Sequence, residues 1–454
     1  MKMYFDENLT DELLAELRTP DRQEVRAILD KAREGRGLDL AETGKLLVVE
    51  NEDDLAEMIK TAGEVKRLIY GNRIVLFAPL YLSNSCVNNC LYCGYRKDNL
   101  QLARKNLSRE EVLGEAGALA GQGHKRVLLV CGESPGPWVL EGLCGIIREI
   151  YSTLDIRRIN VNIAPLSEEE FKMLKDSGIG TYQLFQETYH RPSYNYFHPT
   201  GPKADYYWRI SAFDRAMRAG IDDVGLGVLL GLYNYRYEVL ALLQHALYLE
   251  NMYGAGPHTV SVPRLQPAPG AVVREYPWRL SDRDFKKVVA VLRLALPYTG
   301  IILSTREPVA LRNELLHIGV SQISAGSSTA PGGYLKPGDE AVQFTVADYR
   351  TLDEVVRCIC EAGYLPSFCT ACYRRERTGE KFMELAKTGE IKGLCQPNAL
   401  LTFKENLLDF ASAATRQAGE ALINDALLEM DLPVRNTVKD KLNRISRGDR
   451  DLYF

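Results

Sequence analysis

The sequence predicts an α/β protein built around a (β/α)8 barrel of the TIM type, and three observations predict it. From residue 73 onward short apolar runs alternate with amphipathic stretches, the pattern of parallel strand–helix units. The runs number eight, the count that closes such a barrel. The stretches between them also carry helix punctuation at both ends.

The candidate strands are 73–83, 126–132, 158–164, 181–186, 223–231, 258–264, 300–305 and 320–326. Ser108-Arg109-Glu110-Glu111 and Ser167-Glu168-Glu169-Glu170 each put a hydroxyl at the N-cap and a carboxylate three residues on, so that two orphan amides are satisfied reciprocally. Gly178, Gly220 and Gly319 stand where helices should end. Residues 1–72 read as a charged helical extension, from Leu9-Thr10-Asp11-Glu12 through Ala56-Glu57-Met58-Ile59-Lys60. After 364 no further strand–helix alternation is expected, and 365–454 reads as a mainly helical carboxy-terminal segment. The expected organisation is therefore an extension (1–72), a barrel (73–364) and a carboxy-terminal domain (365–454).

A chain of 454 residues buries a core without disulfide staples. With 56 Lys and Arg against 60 Asp and Glu, the net charge of -4 advertises neither a nucleic-acid nor a membrane surface. The amino-terminal residues lack the apolar core of a signal peptide, and no segment approaches the roughly 20 apolar residues that span a bilayer. A cytoplasmic protein is expected, in which ten cysteines serve as ligands or buried thiols rather than disulfides.

Chemistry is concentrated in the run Asn84-Ser85-Cys86-Val87-Asn88-Asn89-Cys90-Leu91-Tyr92-Cys93, just after the first strand, where a barrel builds its working face. Three thiolates so spaced can hold three irons of a cubic cluster and leave the fourth open. A structural zinc site would want a fourth ligand, and the nearest histidine in sequence is His124. Tyr92, the aromatic before the last cysteine, suits a cofactor loop. A second trio, Cys369-x2-Cys372-x22-Cys395, would suit another three-thiolate cubane or a zinc site completed by histidine or water; spacing alone leaves both open. Cys131, Cys144, Cys358 and Cys360 lie in strand-like or helix-like segments and read as packing residues.

The first spacing is the signature of the radical S-adenosylmethionine (SAM) enzymes. Together with Phe185-Gln186-Glu187-Thr188-Tyr189-His190-Arg191-Pro192, Gly256-Pro257-His258-Thr259-Val260-Ser261-Val262-Pro263-Arg264 and the Cys-x2-Cys-x22-Cys tail, it resembles the HydG family, the tyrosine lyases that mature FeFe-hydrogenase. The resemblance covers nearly the whole chain. The ThiH-type 2-iminoacetate synthases are similar through the barrel but lack that tail.

The resemblance implies a radical SAM barrel with a SAM-binding 4Fe-4S cluster at Cys86, Cys90 and Cys93, and SAM on its open iron. Gly132 and Glu133 would bind the amino group of SAM, although Cys131 stands where the family has a first glycine; Asn162 would touch its ribose or carboxylate. L-tyrosine would lose its side chain as p-cresol, leaving dehydroglycine. Its carboxylate needs a cation and donors, which Ser304 and Arg306, at the end of the seventh strand, supply as a hydroxyl and a planar guanidinium fork. A second auxiliary cluster on Cys369, Cys372 and Cys395 would turn dehydroglycine into carbon monoxide and cyanide on a labile fifth iron. His258, at the start of the sixth strand and so at the opposite mouth, is expected to ligate that iron with one nitrogen while an acceptor holds the other. The fragment would then need a polar passage through the barrel, lined by some of Asn162, Gln183, Gln186, Glu187 and Gln322. The implied partners are a reductant such as ferredoxin or flavodoxin and a hydrogenase maturation scaffold protein. A ThiH-like enzyme without carbon monoxide or cyanide, and a non-catalytic iron carrier, are the alternatives.

Overall fold

The computed structural model describes residues 4–273, 278–336 and 341–454. Its centre is a closed parallel barrel of eight strands: β1 (Arg73–Ser83), β2 (Arg126–Cys131), β3 (Arg158–Asn162), β4 (Tyr182–Glu187), β5 (Val224–Val228), β6 (Thr259–Ser261), β7 (Gly300–Leu303) and β8 (Gln322–Ser324). They follow one another around the sheet, and β1 pairs with both β8 and β2 to close it. The strands start within two residues of their expected positions; several end earlier, because the chain leaves the sheet to build the loops of the upper mouth.

Strand alternation explains why the apolar runs look continuous. In β1, Ile74, Leu76, Ala78, Leu80 and Leu82 face outward into the layer shared with the helices, while Val75, Phe77, Pro79 and Tyr81 face the lumen and line its cavities. The outward layer is the main core, with Val127, Leu129, Ile159, Val161 and Leu226 packed against Leu119, Ile147, Phe171 and Phe213. Each such side chain contributes about 1.5–3 kcal/mol on burial.

Four helices precede the barrel, at Glu7–Glu16, Arg22–Ala32, Leu40–Leu47 and Glu52–Tyr70. Asp21 with Glu24 and Asp39 with Glu42 form capping boxes on the second and third, and the fourth runs directly into β1 through Gly71 at φ 65°. A short ninth strand, β9 (Leu365–Ser367), follows β8 and lies parallel to the start of β1, with Arg73 opposite Leu365. The expectation of no strand beyond 364 thus misses three residues. They are too few to show a period of two, and Pro366 is tolerated because β9 sits at the sheet's edge. Beyond β9 the chain is helical: Ala371–Arg374, Gly379–Lys387, Ile391–Asp409, Ala413–Leu428 and Leu432–Ser446. Among the described residues no helix is long and apolar enough to cross a membrane.

Candidate active site at the two mouths of the barrel

The loop after β1 is tied down before it offers its sulfurs. Asn84 donates to the Ala103 carbonyl and accepts from the Lys105 amide at 2.6 Å. The Arg104 guanidinium donates to the carbonyls of Asn84, Tyr95 and Arg96 at 2.7–2.9 Å. On this frame Cys86, Cys90 and Cys93 line a cavity of about 230 Å³ in the upper mouth. Burial pushes the Cys90 thiol up to about 12 and raises Cys93, so thiolates here need a cation to stabilise them. The Tyr95 amide donates to Cys93 Sγ at 3.4 Å.

Opposite the loop, the turn after β2 presses close. The Val87 amide donates to the Glu133 carbonyl at 2.7 Å, and Asn88 donates to the Glu133 carboxylate at 2.6 Å. A Cβ on Gly132 would stand 2.2 Å from the Ser85 carbonyl, so only glycine allows this approach. Glu133, Asn162, Tyr92, Ser304 and Arg306 all line the same cavity. Cys131, expected to be a packing residue, lines it as well. The Arg306 guanidinium stacks on the Phe344 ring at 3.4 Å, burial lowers its pKa, and it makes no ion pair among the described residues.

Four further groups complete this mouth. Glu187, at the end of β4, is a non-glycine residue at φ 72°, a strained conformation of the kind that clusters at functional sites. Burial opposes its charge, but Lys203 at 2.6 Å and Arg209 at 3.6 Å hold its carboxyl below the ordinary value. Tyr92 bonds His198 Nε2 at 2.9 Å and accepts from Lys203 at 3.2 Å. His198 Nδ1 lies 2.7 Å from the Tyr194 carbonyl, which requires the proton on Nδ1 and leaves Nε2 to accept from the phenol. Burial, then Lys203 and Arg209, keep this imidazole neutral. Sequence reasoning missed Lys203, Arg209 and His198. They follow β4 only after the intervening helix Arg191–Phe197, and no spacing in the sequence marks them.

The second trio is assembled at the lower mouth. β9 delivers Cys369 beneath β1, the short helix after it carries Cys372, and Cys395 projects from the helix Ile391–Asp409. All three line a cavity of about 40 Å³ together with His258, Arg73, Arg126 and Tyr373. The Ala371 amide donates to Cys369 Sγ at 3.4 Å, the same two-residue spacing of amide and sulfur as at Cys93. Hydrogen bonding from Cys372, helped by the guanidiniums of Arg73 and Arg377, draws the Cys395 thiol down. His258 packs against the Phe382 ring, centroids 4.4 Å apart. Its imidazole makes no hydrogen bond among the described residues, so the acceptor expected to hold its second nitrogen is not in place.

Between the mouths the lumen is polar at mid-height. A Cβ on Gly225 would stand 2.6 Å from Thr259 Oγ1 and 2.9 Å from Gln183, and one on Gly300 would stand 2.7 Å from Gln322 Nε2. Asn162, Gln183 and Glu187 line the upper cavity and Gln322 the lower. Gln186 lines neither, since its neighbours Phe185 and Glu187 face the upper cavity. Above this band the wall is largely apolar, with Phe77, Leu128, Val130 and Ile302.

The family model for the radical SAM superfamily matches residues 80–245, and that for the biotin and thiamin synthesis associated domain matches 261–365. The 2-iminoacetate synthase of Escherichia coli (strain K12) is 33% identical over 316 residues, 69% of this chain and 82% of the relative. A crystal structure of HydG, a maturase of the [FeFe]-hydrogenase, superposes with a TM-score of 0.96 at 51% identity over 100% of both chains. The chain belongs to the radical SAM superfamily, on its HydG branch. The HydG of Carboxydothermus hydrogenoformans agrees, with 44% identity and a TM-score of 0.85 over 96% of this chain and 97% of that one.

Radical SAM membership implies a 4Fe-4S cluster and SAM, and the upper mouth fits both. Three thiols from one loop and an amide aimed at sulfur suit a cubane with one uncommitted iron. The glycine-tight turn at Gly132 and the carboxylate beside it suit a zwitterionic ligand. Among the described residues no group of three or more His, Cys, Asp or Glu is arranged to hold a single metal ion, whereas a cubane takes each thiol at a separate corner.

Proposed function

We propose that this HydG-type protein is a radical SAM lyase that cleaves the Cα–Cβ bond of L-tyrosine to p-cresol and dehydroglycine. Dehydroglycine would then be converted at an auxiliary Fe-S cluster to carbon monoxide and cyanide, two tyrosines supplying the two carbonyls and one cyanide of an Fe(CO)2(CN) unit for the FeFe-hydrogenase active site, with the second cyanide left over. What supports this best is the second cysteine trio, placed with His258 at the mouth opposite the first.

In this reading the upper mouth binds and orients. Cys86, Cys90 and Cys93 hold the cluster; Gly132 and Glu133 take the methionine part of SAM, with Tyr92 and Asn162 alongside. The cluster and SAM together supply the 5′-deoxyadenosyl radical that begins tyrosine oxidation. Arg306, stacked on Phe344 and without an ion pair among the described residues, receives the tyrosine carboxylate with Ser304 at its side. The Lys203–Glu187–Arg209 network beside it pairs two cations with one carboxylate and so leaves one net positive charge, and neutral His198 fixes the Tyr92 phenol. p-Cresol and dehydroglycine together contain every heavy atom of tyrosine. The dehydroglycine anion contains the atoms of one carbon monoxide, one cyanide and one water, so the second stage is a net dehydration. Cys369, Cys372 and Cys395 would hold the auxiliary cluster that supplies this chemistry, and His258, in the same cavity, would hold the labile iron. Ferredoxin or flavodoxin is the reductant in this scheme, and a hydrogenase maturation scaffold the recipient.

The test is anaerobic reconstitution followed by turnover with L-tyrosine, SAM and dithionite. The expected outcome is p-cresol, carbon monoxide and cyanide, with roughly eight to nine irons per chain, two cubanes plus a labile iron. Similarity to 2-iminoacetate synthases supports one other reading, in which p-cresol forms and neither diatomic does; that product pattern would replace the proposal.

A further inference from the structure

Arg264 ends the stretch 256–264 that carries His258, yet the chemistry above gives it no task. Its backbone is pinned where the chain runs on past β5 and β6: the Leu230 amide donates to the Pro263 carbonyl at 2.9 Å, and the Leu265 amide to the Leu230 carbonyl at 2.8 Å. Pro263 and Leu265 line the upper cavity, and Arg264 between them does not. Its side chain runs behind the wall to the Glu307 carboxylate, donating from Nε to both oxygens at 3.1 Å and from Nη2 to Oε2. Nη1 is spent on the Leu280 carbonyl at 3.1 Å and on Asp282 at 2.7 Å.

Glu307 directly follows Arg306, and its side chain is only 1% exposed. A buried carboxylate in that place is a rival for the guanidinium meant to receive a substrate carboxylate. The other carboxylates of the upper cavity are engaged in the same manner. Among the described residues Glu133, Glu187 and Glu307 line it. Glu133 accepts from Asn88 at 2.6 Å, Glu187 is paired with Lys203 and Arg209, and Glu307 with Arg264. Each is held by a donor other than Arg306, whose guanidinium has Phe344 for a neighbour and no hydrogen bond or ion pair among the described residues. The chain that carries it is fixed as well, because the Thr305 carbonyl accepts from the Ala347 and Asp348 amides at 2.9 and 3.2 Å. Arg306 is thus open because its rivals are occupied.

We infer that Arg264 is a positioning residue for the substrate: it neutralises and restrains Glu307 from behind the wall, and so leaves Arg306 open to a carboxylate. A planar guanidinium that grips both carboxylate oxygens combines charge with fixed geometry, which a single point donor does not. Without that grip a buried carboxylate stands uncompensated in a wall that holds little water. It then pairs with Arg306 or repels an incoming anion, and in both cases the carboxylate of an amino-acid ligand binds more weakly.

The inference rests on Arg306 receiving the carboxylate of L-tyrosine. Its test is equilibrium dialysis of L-tyrosine against the reconstituted protein with SAM and no reductant, so that nothing turns over. Arg264→Gln should raise the Kd for L-tyrosine about tenfold, with iron content and SAM affinity near those of the unsubstituted protein. Arg264→Lys keeps a cation on Glu307 and should stay within about threefold; a larger loss there at full iron content would count against charge as the cause. The double variant Arg264→Gln with Glu307→Gln removes the rival charge itself, and its Kd should return to within about threefold of normal. Damaged packing would not allow that recovery. An unchanged Kd in Arg264→Gln, or equal losses in the single and double variants, would overturn the role of Arg264 and leave Arg306 as the tyrosine site. Failure of the unsubstituted protein to bind L-tyrosine would instead remove the substrate reading, and this inference with it.

Discussion

Arg306 carries the substrate-binding half of the proposal. Its guanidinium is buried in the upper cavity, stacked on Phe344 and without an ion pair among the described residues. Arg306→Lys keeps the charge but replaces a planar fork by a point donor. We expect the KM for L-tyrosine to rise about tenfold or more, equivalent to ~1.4 kcal/mol, while 5′-deoxyadenosine formation without tyrosine stays near its starting rate; equal losses in both would place Arg306 elsewhere. Gly132 tests the cofactor side. With the Ser85 carbonyl 2.2 Å from a prospective Cβ, Gly132→Ala must displace either the cysteine loop or the turn that carries Glu133. SAM binding measured by equilibrium dialysis should fall steeply, and normal affinity would show that the turn has slack. The first cysteine trio stands out in the sequence because three closely spaced thiols have few bland explanations, whereas Cys369, Cys372 and Cys395 are drawn to one cavity only by the fold. Lys203, Arg209 and His198 do not stand out, since a lysine in a single helical turn, an arginine in a five-residue helix and a histidine just past a helix end carry no spacing that separates them from solvated surface.

At the scale of elements, the lower mouth depends on how the helix Ile391–Asp409 is fastened to the barrel. Arg157, just before β3, donates to Glu405 on that helix at 2.8 Å, with the two side chains 9% and 2% exposed. Breaking a fully buried pair costs about 3–5 kcal/mol; here Arg157 keeps Asp155 at 2.9 Å, so Glu405→Leu should cost about 2 kcal/mol. Denaturant unfolding of the variant measures this, and the same variant should lose iron from the lower site before the upper. The eight barrel strands were readable because their lumen-facing and helix-facing positions are both largely apolar, which turns each into an unbroken run. The residue-scale strain at Glu187 and the three-residue β9 left no such trace. A positive φ depends on what surrounds the chain, and a strand of three residues shows no period.

For the molecule as a whole, the account requires one fragment to pass from the upper to the lower mouth through a lumen that most barrels of this type fill. Gly225 and Gly300 leave room beside Gln183, Thr259 and Gln322. The sequence did hold that hint, as glycines in strand-like runs, although only the strand register shows that they flank Thr259 at one level of the barrel. Gly300→Val places methyl groups against Gln322 and should leave p-cresol formation near normal while carbon monoxide falls several-fold; carbon monoxide in normal ratio to p-cresol would mean that the fragment travels another way. The division of labour between the two mouths is tested most directly by Cys395→Ser, with p-cresol and carbon monoxide quantified from the same reaction beside the unsubstituted protein. The account predicts p-cresol within about twofold of normal and no carbon monoxide above background; carbon monoxide in the normal ratio to p-cresol would contradict it.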